Sequence, residues 1–300
     1  MNKILEMMYL GGWFVDVRLF ARQKPLQTVL FITDKCNLRC RHCGVYNIDN
    51  PIVKSYNQVE DELRYSYELG SRFIDFEGGE PTIWRDGDKT VNDLIRLAKE
   101  IGFFSTTITT NAQGSFAGSL ADSIWVSLDG TEKFHDEIRG AGAFKKLEKN
   151  IAESHHKNLN VNMTINSLNY TNVRDTVNYA KDNPAIKLIS LNFHTPYKGT
   201  ESLFLDLDKR VEIIDLLISM KKAKYPIMNS VSGLEFMKHN NFERQCWVTN
   251  YILPDGTLLN ECVGKTMGMC DKCGFCMAGE MRSVFDFKID TLLDAVKLRV

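Results

Sequence analysis

The sequence predicts an α/β protein: a partial (β/α)6 barrel of the TIM type, followed by a small loop-rich C-terminal domain whose cysteines point to a metal cluster. Three observations carry this. Short apolar segments alternate with helical periodicities from residue 28 to 194. Strand–helix units in series imply parallel strands, and right-handed crossovers curl such a sheet toward a barrel. The eight cysteines fall into two groups, one near residue 40 and one after residue 245.

The elements follow in order. Residues 4–15, inside an N-terminal segment 1–27, are apolar apart from Glu6 and form a first helix. It is too short to span a bilayer, and it lacks a cleavage site and any basic stretch beyond Lys3. It either packs on the body of the protein or lies on a membrane surface with Trp13, Phe14 and Phe20 inserted. Packing is the commoner fate of an apolar helical face. Strands are expected at 28–33, 73–76, 106–110, 124–128, 161–165 and 188–193, each brief, β-branched or aromatic, and bounded by turn residues. Helical stripes separate them: Val59, Leu63 and Tyr67; Val91, Leu94, Ile95 and Ala98; Phe144, Leu147 and Ile151; Val173, Val177 and Ala180. A helix over 206–224 closes the barrel region 28–225. Six units are too few for a closed eight-unit barrel. After Pro226 helical periodicity fades, and cysteine, glycine and aromatics cluster over 246–279. Residues 226–300 thus read as a unit held by metal more than by a core. Residues 292–298 form a terminal helix.

Net charge is −1, from 37 basic and 38 acidic residues, so no nucleic-acid partner is expected. The run Lys221, Lys222, Lys224 reads as a solvated helix end. A chain of 300 residues without a secretory signal is a poor candidate for a disulfide framework. A cytoplasmic protein is expected, membrane-associated only through its first helix.

The first cysteine motif is Cys36-Asn-Leu-Arg-Cys40-Arg-His-Cys43, directly after the first strand, where barrel enzymes collect catalytic loops. Three thiolates can hold a cluster and leave one metal position open; zinc with His42 as fourth ligand is the alternative. The second strand runs into Glu77-Gly78-Gly79-Glu80-Pro81, where two glycines permit close backbone approach and a carboxylate suits an ammonium. The third ends in Thr109-Thr110-Asn111 and the fourth in Ser127-Leu128-Asp129-Gly130, followed by His135-Asp136 and Arg139-Gly140. Asn162, Thr164 and Asn166 share one face of the fifth strand, as Asn192 and His194 do on the sixth. Those five are either ligand contacts or a structural polar network; Asn192 and His194 are the catalytic candidates.

These motifs resemble the radical S-adenosylmethionine (SAM) superfamily. The resemblance runs from about residue 28 to 276 and is specific in the Cys-x3-Cys-x2-Cys triplet; the residue before the last cysteine is usually aromatic there and is His42 here. It implies that Cys36, Cys40 and Cys43 hold a 4Fe-4S cluster whose open iron chelates SAM, and that reduction yields methionine and a 5′-deoxyadenosyl radical. It places Gly78, Gly79 and Glu80 at the SAM amino group, Ser127 and Asp129 near the ribose, and Asn111, Asn166 and Arg139 among the SAM contacts. For His135, Asp136 and Arg139 a helix cap with surface charge is the alternative.

Cys246, then Pro254-Asp255-Gly256, then Cys262, Cys270, Cys273 and Cys276 resemble the SPASM or twitch domains of that superfamily. Five cysteines suffice for one auxiliary 4Fe-4S cluster and fall short of two, so one is surplus. A zinc ribbon fits the same spacings. The resemblance implies hydrogen abstraction from a substrate carbon and a one-electron donor such as flavodoxin or ferredoxin. It leaves the substrate open among peptide, lipid and small metabolite. The short segment before the first strand disfavours a peptide maturase, and the apolar N-terminus favours a lipid or isoprenoid. The rival from another class is a zinc-stabilised binding protein without catalysis.

Overall fold

The computed structural model describes residues 3–20, 22–43 and 49–297. Helix α1 (Lys3–Leu19) leads into strand β1 (Gln27–Thr33), helix α2 (Tyr56–Leu69) and strand β2 (Phe73–Gly78). A small hairpin, β3 (Arg85–Asp86) and β4 (Lys89–Thr90), precedes α3 (Val91–Ile101). Then come β5 (Ser105–Thr110), β6 (Ser123–Ser127), α4 (Glu132–Arg139), α5 (Ala143–Ser154), β7 (Leu159–Ile165), α6 (Val173–Asp182), β8 (Ile189–Phe193) and α7 (Leu207–Lys222). The rest comprises α8 (Val231–His239), β9 (Thr249–Ile252), β10 (Leu258–Leu259), α9 (Val263–Thr266), α10 (Met277–Phe285) and α11 (Ile289–Lys297). Leu298, the expected end of the terminal helix, lies outside the described residues.

One eight-stranded sheet organises the molecule, in the order β10-β9-β1-β2-β5-β6-β7-β8. Every neighbouring pair from β9 to β8 is parallel, so the C-terminal ends of these strands share one rim. The sheet is open, with β10 and β8 as its edges. The six strands expected between residues 28 and 193 are all present. Local chemistry fixes the helices between them: Ser55 accepts from Gln58 N to cap α2, and Thr90 with Asp93 forms a capping box on α3. Alternate strand residues such as Leu30, Ile32, Ile74, Phe76, Ile108, Ile124 and Val161 are buried in a core with Val59, Leu63, Leu94, Leu147 and Val177 from the helices.

The C-terminal region carries more regular structure than expected. Helices α8 and α10, each nine residues long, are too short to show periodicity in a cysteine- and glycine-rich sequence, and the terminal helix α11 begins three residues earlier than expected. This region spans the open side of the barrel. Strand β9 pairs in parallel with β1, and the opposite edge strand takes a bond from Phe193 N to Gly274 O. Asn192 Oδ1 accepts from Cys276 N at 2.9 Å beside it.

Helix α1 packs on the body. Trp13 and Val17 are buried with Val248 and Phe285, and Phe14 and Trp247 pack against them. Two of the three residues named for membrane insertion, Trp13 and Phe14, are therefore engaged inside the protein. Its outward face bears exposed Ile4, Leu5, Met8, Val15 and Leu19, with Phe20 just beyond. Among the described residues no helix is long and apolar enough to cross a membrane.

Candidate active site and the C-terminal cysteines

The parallel rim gathers the predicted residues into one cavity, with about 590 Å³ of free space including its open mouth. Cys36, Cys40 and Cys43 line it with Gly78, Gly79, Glu80, Asn111, Ser127 and Arg139. Leu38, His42, Glu77, Thr109 and Thr110 complete the wall.

The cysteine loop is held by backbone. Pairing between β1 and β2 shifts register after Phe31, and the ladder then continues past both strands. Gly79 N donates to Thr33 O at 2.8 Å and Glu80 N to Lys35 O at 3.0 Å. A Cβ on Gly78 would collide with the Thr33 carbonyl, and one on Gly79 with that of Lys35. The two glycines therefore let the β2 end approach the loop that carries Cys36, a role beside any contact with a ligand.

Glu80 is fully buried. Its Oε1 accepts from Thr110 Oγ1 at 2.7 Å and Thr82 Oγ1 at 2.6 Å, and its Oε2 from Asn111 N at 2.8 Å. Asn111 Nδ2 in turn donates to Asn37 Oδ1 at 2.8 Å and lies 3.7 Å from Cys36 Sγ. Across the cavity, Asp129 is fully buried and accepts from Arg139 Nε at 2.6 Å and Thr164 N at 2.9 Å. The Arg139 guanidinium then reaches Cys40 Sγ at 3.9 Å. Despite its burial, this ion pair keeps Asp129 below the usual carboxylate range. Asp129 does not itself line the cavity.

Burial sets the other protonation states. It pushes the Cys36 thiol up, and Cys40 up to about 11 although Arg139 opposes this. His42 is pushed down to about 4 by burial and by Arg139, so it is neutral, with Nδ1 buried and unbonded. His135 is likewise pushed down to about 4 by burial, and its Nδ1 accepts from Asp129 N at 3.2 Å. Asp136 accepts from Gly142 N and Phe144 N, capping α5.

Three predicted residues fall elsewhere. Asn166 is fully buried outside the cavity, with its amide bonded to Thr164 O and Leu168 N, so it shapes the turn after β7. Asn192 holds Cys276 N, as described above. His194 is buried, bonded through Nε2 to Thr200, and its carbonyl accepts from Arg210 Nη2 at 2.7 Å. Both catalytic candidates thus sit in structural contacts at the barrel's seam with the C-terminal region. Arg210 was missed in the sequence. It also donates to Leu205 O and Cys273 O, tying the second cysteine group to the barrel. Its apolar helix neighbours gave no signal of this.

The C-terminal cysteines divide. Cys246 and Cys262 are free thiols joined by a hydrogen bond, and that contact pulls Cys262 down to about 6 while Cys246 goes up. Cys270 and Cys273 lie within electrostatic reach of Cys246. Cys276 differs in burial: it is fully buried in the main core and bonds Gly274 O, within electrostatic reach of Cys273. Among the described residues no three His, Cys, Asp or Glu converge on a point that one metal ion could occupy.

A parallel sheet with three thiols, a buried carboxylate and an arginine at one rim defines a class. The Radical SAM superfamily model matches residues 30–182, and the chain belongs to that superfamily of enzymes. It is 24% identical over 188 residues to a probable GTP 3′,8-cyclase of Sulfolobus acidocaldarius, covering 59% of each chain. It is 28% identical over 224 residues to the Fe-coproporphyrin III synthase of Methanosarcina barkeri, covering 66% of this chain and 52% of that one. The chain spans about half to two-thirds of the length of such curated relatives. Among solved structures, Streptococcus suis SuiB bound to S-adenosylmethionine superposes with a TM-score of 0.67 and 18% identity, over 88% of this chain and 67% of that one. Native anSMEcpe with bound AdoMet and a peptide gives 0.60 and 17%, over 80% and 74%. At those identities the likeness is one of fold.

The superfamily's cofactors are a 4Fe-4S cluster and SAM, and the residues fit them. Three half-buried thiols face one cavity with an open side, the donor set that leaves a cluster iron free.

Proposed function

We propose that this enzyme reductively cleaves SAM and abstracts hydrogen from a substrate carbon. The observation that carries this is the sharing of one cavity by Cys36, Cys40, Cys43, Glu80 and Arg139. A reduced cluster supplies the electron that turns SAM into methionine and a 5′-deoxyadenosyl radical. The protein's part is binding and orientation. Cys36, Cys40 and Cys43 ligate; because burial favours the protonated forms of Cys36 and Cys40, ligation releases protons and strengthens with pH. Arg139 offsets thiolate charge at Cys40 and presents a fork to the SAM carboxylate. Asp129 holds that fork in place. Glu80, rigid within its donors from Thr82, Thr110 and Asn111, faces the SAM amino group; Ser127 faces the ribose.

An auxiliary 4Fe-4S cluster is assigned to Cys246, Cys262, Cys270 and Cys273, which makes Cys276 the surplus cysteine. A small external electron donor of the flavodoxin or ferredoxin kind is required. The bare outward face of α1 is the surface that would meet a bilayer. Co-sedimentation of wild type and Ile4→Ser/Met8→Ser/Leu19→Ser with anionic liposomes tests that contact, and equal recovery in the supernatant removes it.

The main test is anaerobic reconstitution with iron and sulfide, followed by a dithionite-dependent assay for 5′-deoxyadenosine. About eight irons per chain and deoxyadenosine are expected. Zinc in place of iron, with no deoxyadenosine, would sink the proposal.

A further inference from the structure

The sheet interior below the thiol cavity has a composition that the cofactors do not explain. Strand pairing sets Tyr251, Val29, Asp75, Thr107 and Ser123 in one row across β9, β1, β2, β5 and β6. The next row, nearer the rim, holds Phe31, Glu77, Thr109, Trp125 and Asn160. Both rows occupy the face turned from the helices, since the alternate residues Ile74, Phe76, Ile108 and Ile124 are the ones buried in the core. Neither row contains a lysine or arginine, and together they contain two carboxyls.

Those carboxyls are poorly served. Asp75 draws on the Thr109 hydroxyl that Glu77 also uses, and its Oδ1 is buried with no hydrogen-bond partner, as is Asn160 Oδ1 in the second row. Glu77 takes one 3.2 Å bond from Thr109 Oγ1 and also lines the cavity above. Burial raises both carboxyls, and the Glu77 charge raises Asp75 further. Elsewhere this protein pairs buried charge directly: Lys54 meets Glu62 at 2.7 Å, and Arg139 meets Asp129 at 2.6 Å. A buried acceptor without a donor is costly, and two carboxyls together are costlier. A donor-rich cation removes both costs.

We propose that this interior is the substrate chamber, and that it recognises a protonated amine held by Asp75 and Glu77. An ammonium offers three donors, matching Asp75, Glu77 and the Thr109 hydroxyl. A triphosphate or polycarboxylate would meet like charge, with no lysine or arginine in either row to offset it. The inference rests on the radical SAM proposal for the cavity above.

The test uses four-carbon probes that differ only at their ends: putrescine, 1,4-butanediol and succinate. Each is titrated calorimetrically into the full-length, anaerobically reconstituted protein with SAM bound. Putrescine is expected to bind at least ~10-fold more tightly than either of the others. That preference should shrink to within about twofold in Asp75→Asn/Glu77→Gln. Equal or tighter binding of butanediol or succinate overturns the proposal, as does a preference that survives the double variant or an absence of binding by all three. A fourth probe, Nα-acetyllysine methylamide, separates sources: if it outbinds putrescine, the amine is a peptide side chain rather than a free metabolite. A thermal melt shows whether the variant folds, and the wild-type ranking stands without it. Loss of deoxyadenosine formation would fault the radical proposal alone, because the probe ranking does not depend on turnover.

Discussion

The two cysteine groups look alike in sequence and are built differently. The first is one loop at the end of one strand, positioned by polar contacts from the neighbouring strand ends: Gly79 and Glu80 backbone, Asn111, and the Asp129–Arg139 pair. Its three thiols have the same half-buried exposure and face the same cavity. The second is assembled from separate short turns, tied to the barrel by Arg210 and Asn192. Its members are unequal, since Cys276 is sealed in the core while the other four are half-buried. Spacing therefore finds thiols that share a cavity where one loop presents them, and says less where several turns must converge.

That contrast can be broken most directly at the thiols. Replacing Cys36, Cys40 or Cys43 by Ala should cut deoxyadenosine formation at least ~10³-fold and remove about four irons per chain. Cys276→Ala should keep the full iron count in the same assay; a loss of four irons there would make the two groups equivalent after all. Next is the polar frame of the first group. Arg139→Ala leaves Asp129 buried and unpaired, and should cost about 3–5 kcal/mol in denaturant unfolding of the apoprotein. Asp129→Asn/Arg139→Met, which removes both charges, should cost far less, about 1 kcal/mol. For the second group, Arg210→Met strips donors from buried carbonyls, including Cys273 O, for about 2–3 kcal/mol. Iron should then fall by about four while the first cluster remains.

A further expected effect concerns Glu280, which joins α10 to α8 by accepting from Ser230 N and Oγ. Burial pushes its carboxyl up to about 7. A folded-state acid with a raised pKa keeps its proton while the unfolded chain loses it. Stability from this group therefore falls as pH rises from about 4.5 to 7 and is flat above. Glu280→Gln should lack that slope and gain on the order of 2 kcal/mol over wild type at pH 8. Parallel melting curves of both proteins from pH 5 to 8 would reject this.

The six barrel strands were legible because each is a β-branched run with turn residues at both ends, and the rim residues followed from their spacing after those strands. Strand β9 was not, because its partner β1 is remote in sequence and its four residues carry no pattern of their own. The polar residues were legible as a set but not one by one. Asn166 and Asp129 differ only in which buried neighbour claims their oxygens, and tertiary packing decides that. Asp75 and Glu77 were readable in principle, as carboxyls alternating with Ile74 and Phe76, but their alternation with apolar residues looked like any half-exposed strand.

The placement of β9 beside β1 has a consequence for how the chain is made. Thr28 bonds Asn250 across 222 residues, so β1 keeps one bare edge until β9 has left the ribosome. Loop closure over that distance makes this pairing a late and slow event. The strand that feeds the Cys36 loop is thus synthesised long before it is enclosed. A chain stalled before residue 249 would expose it as a template for aggregation.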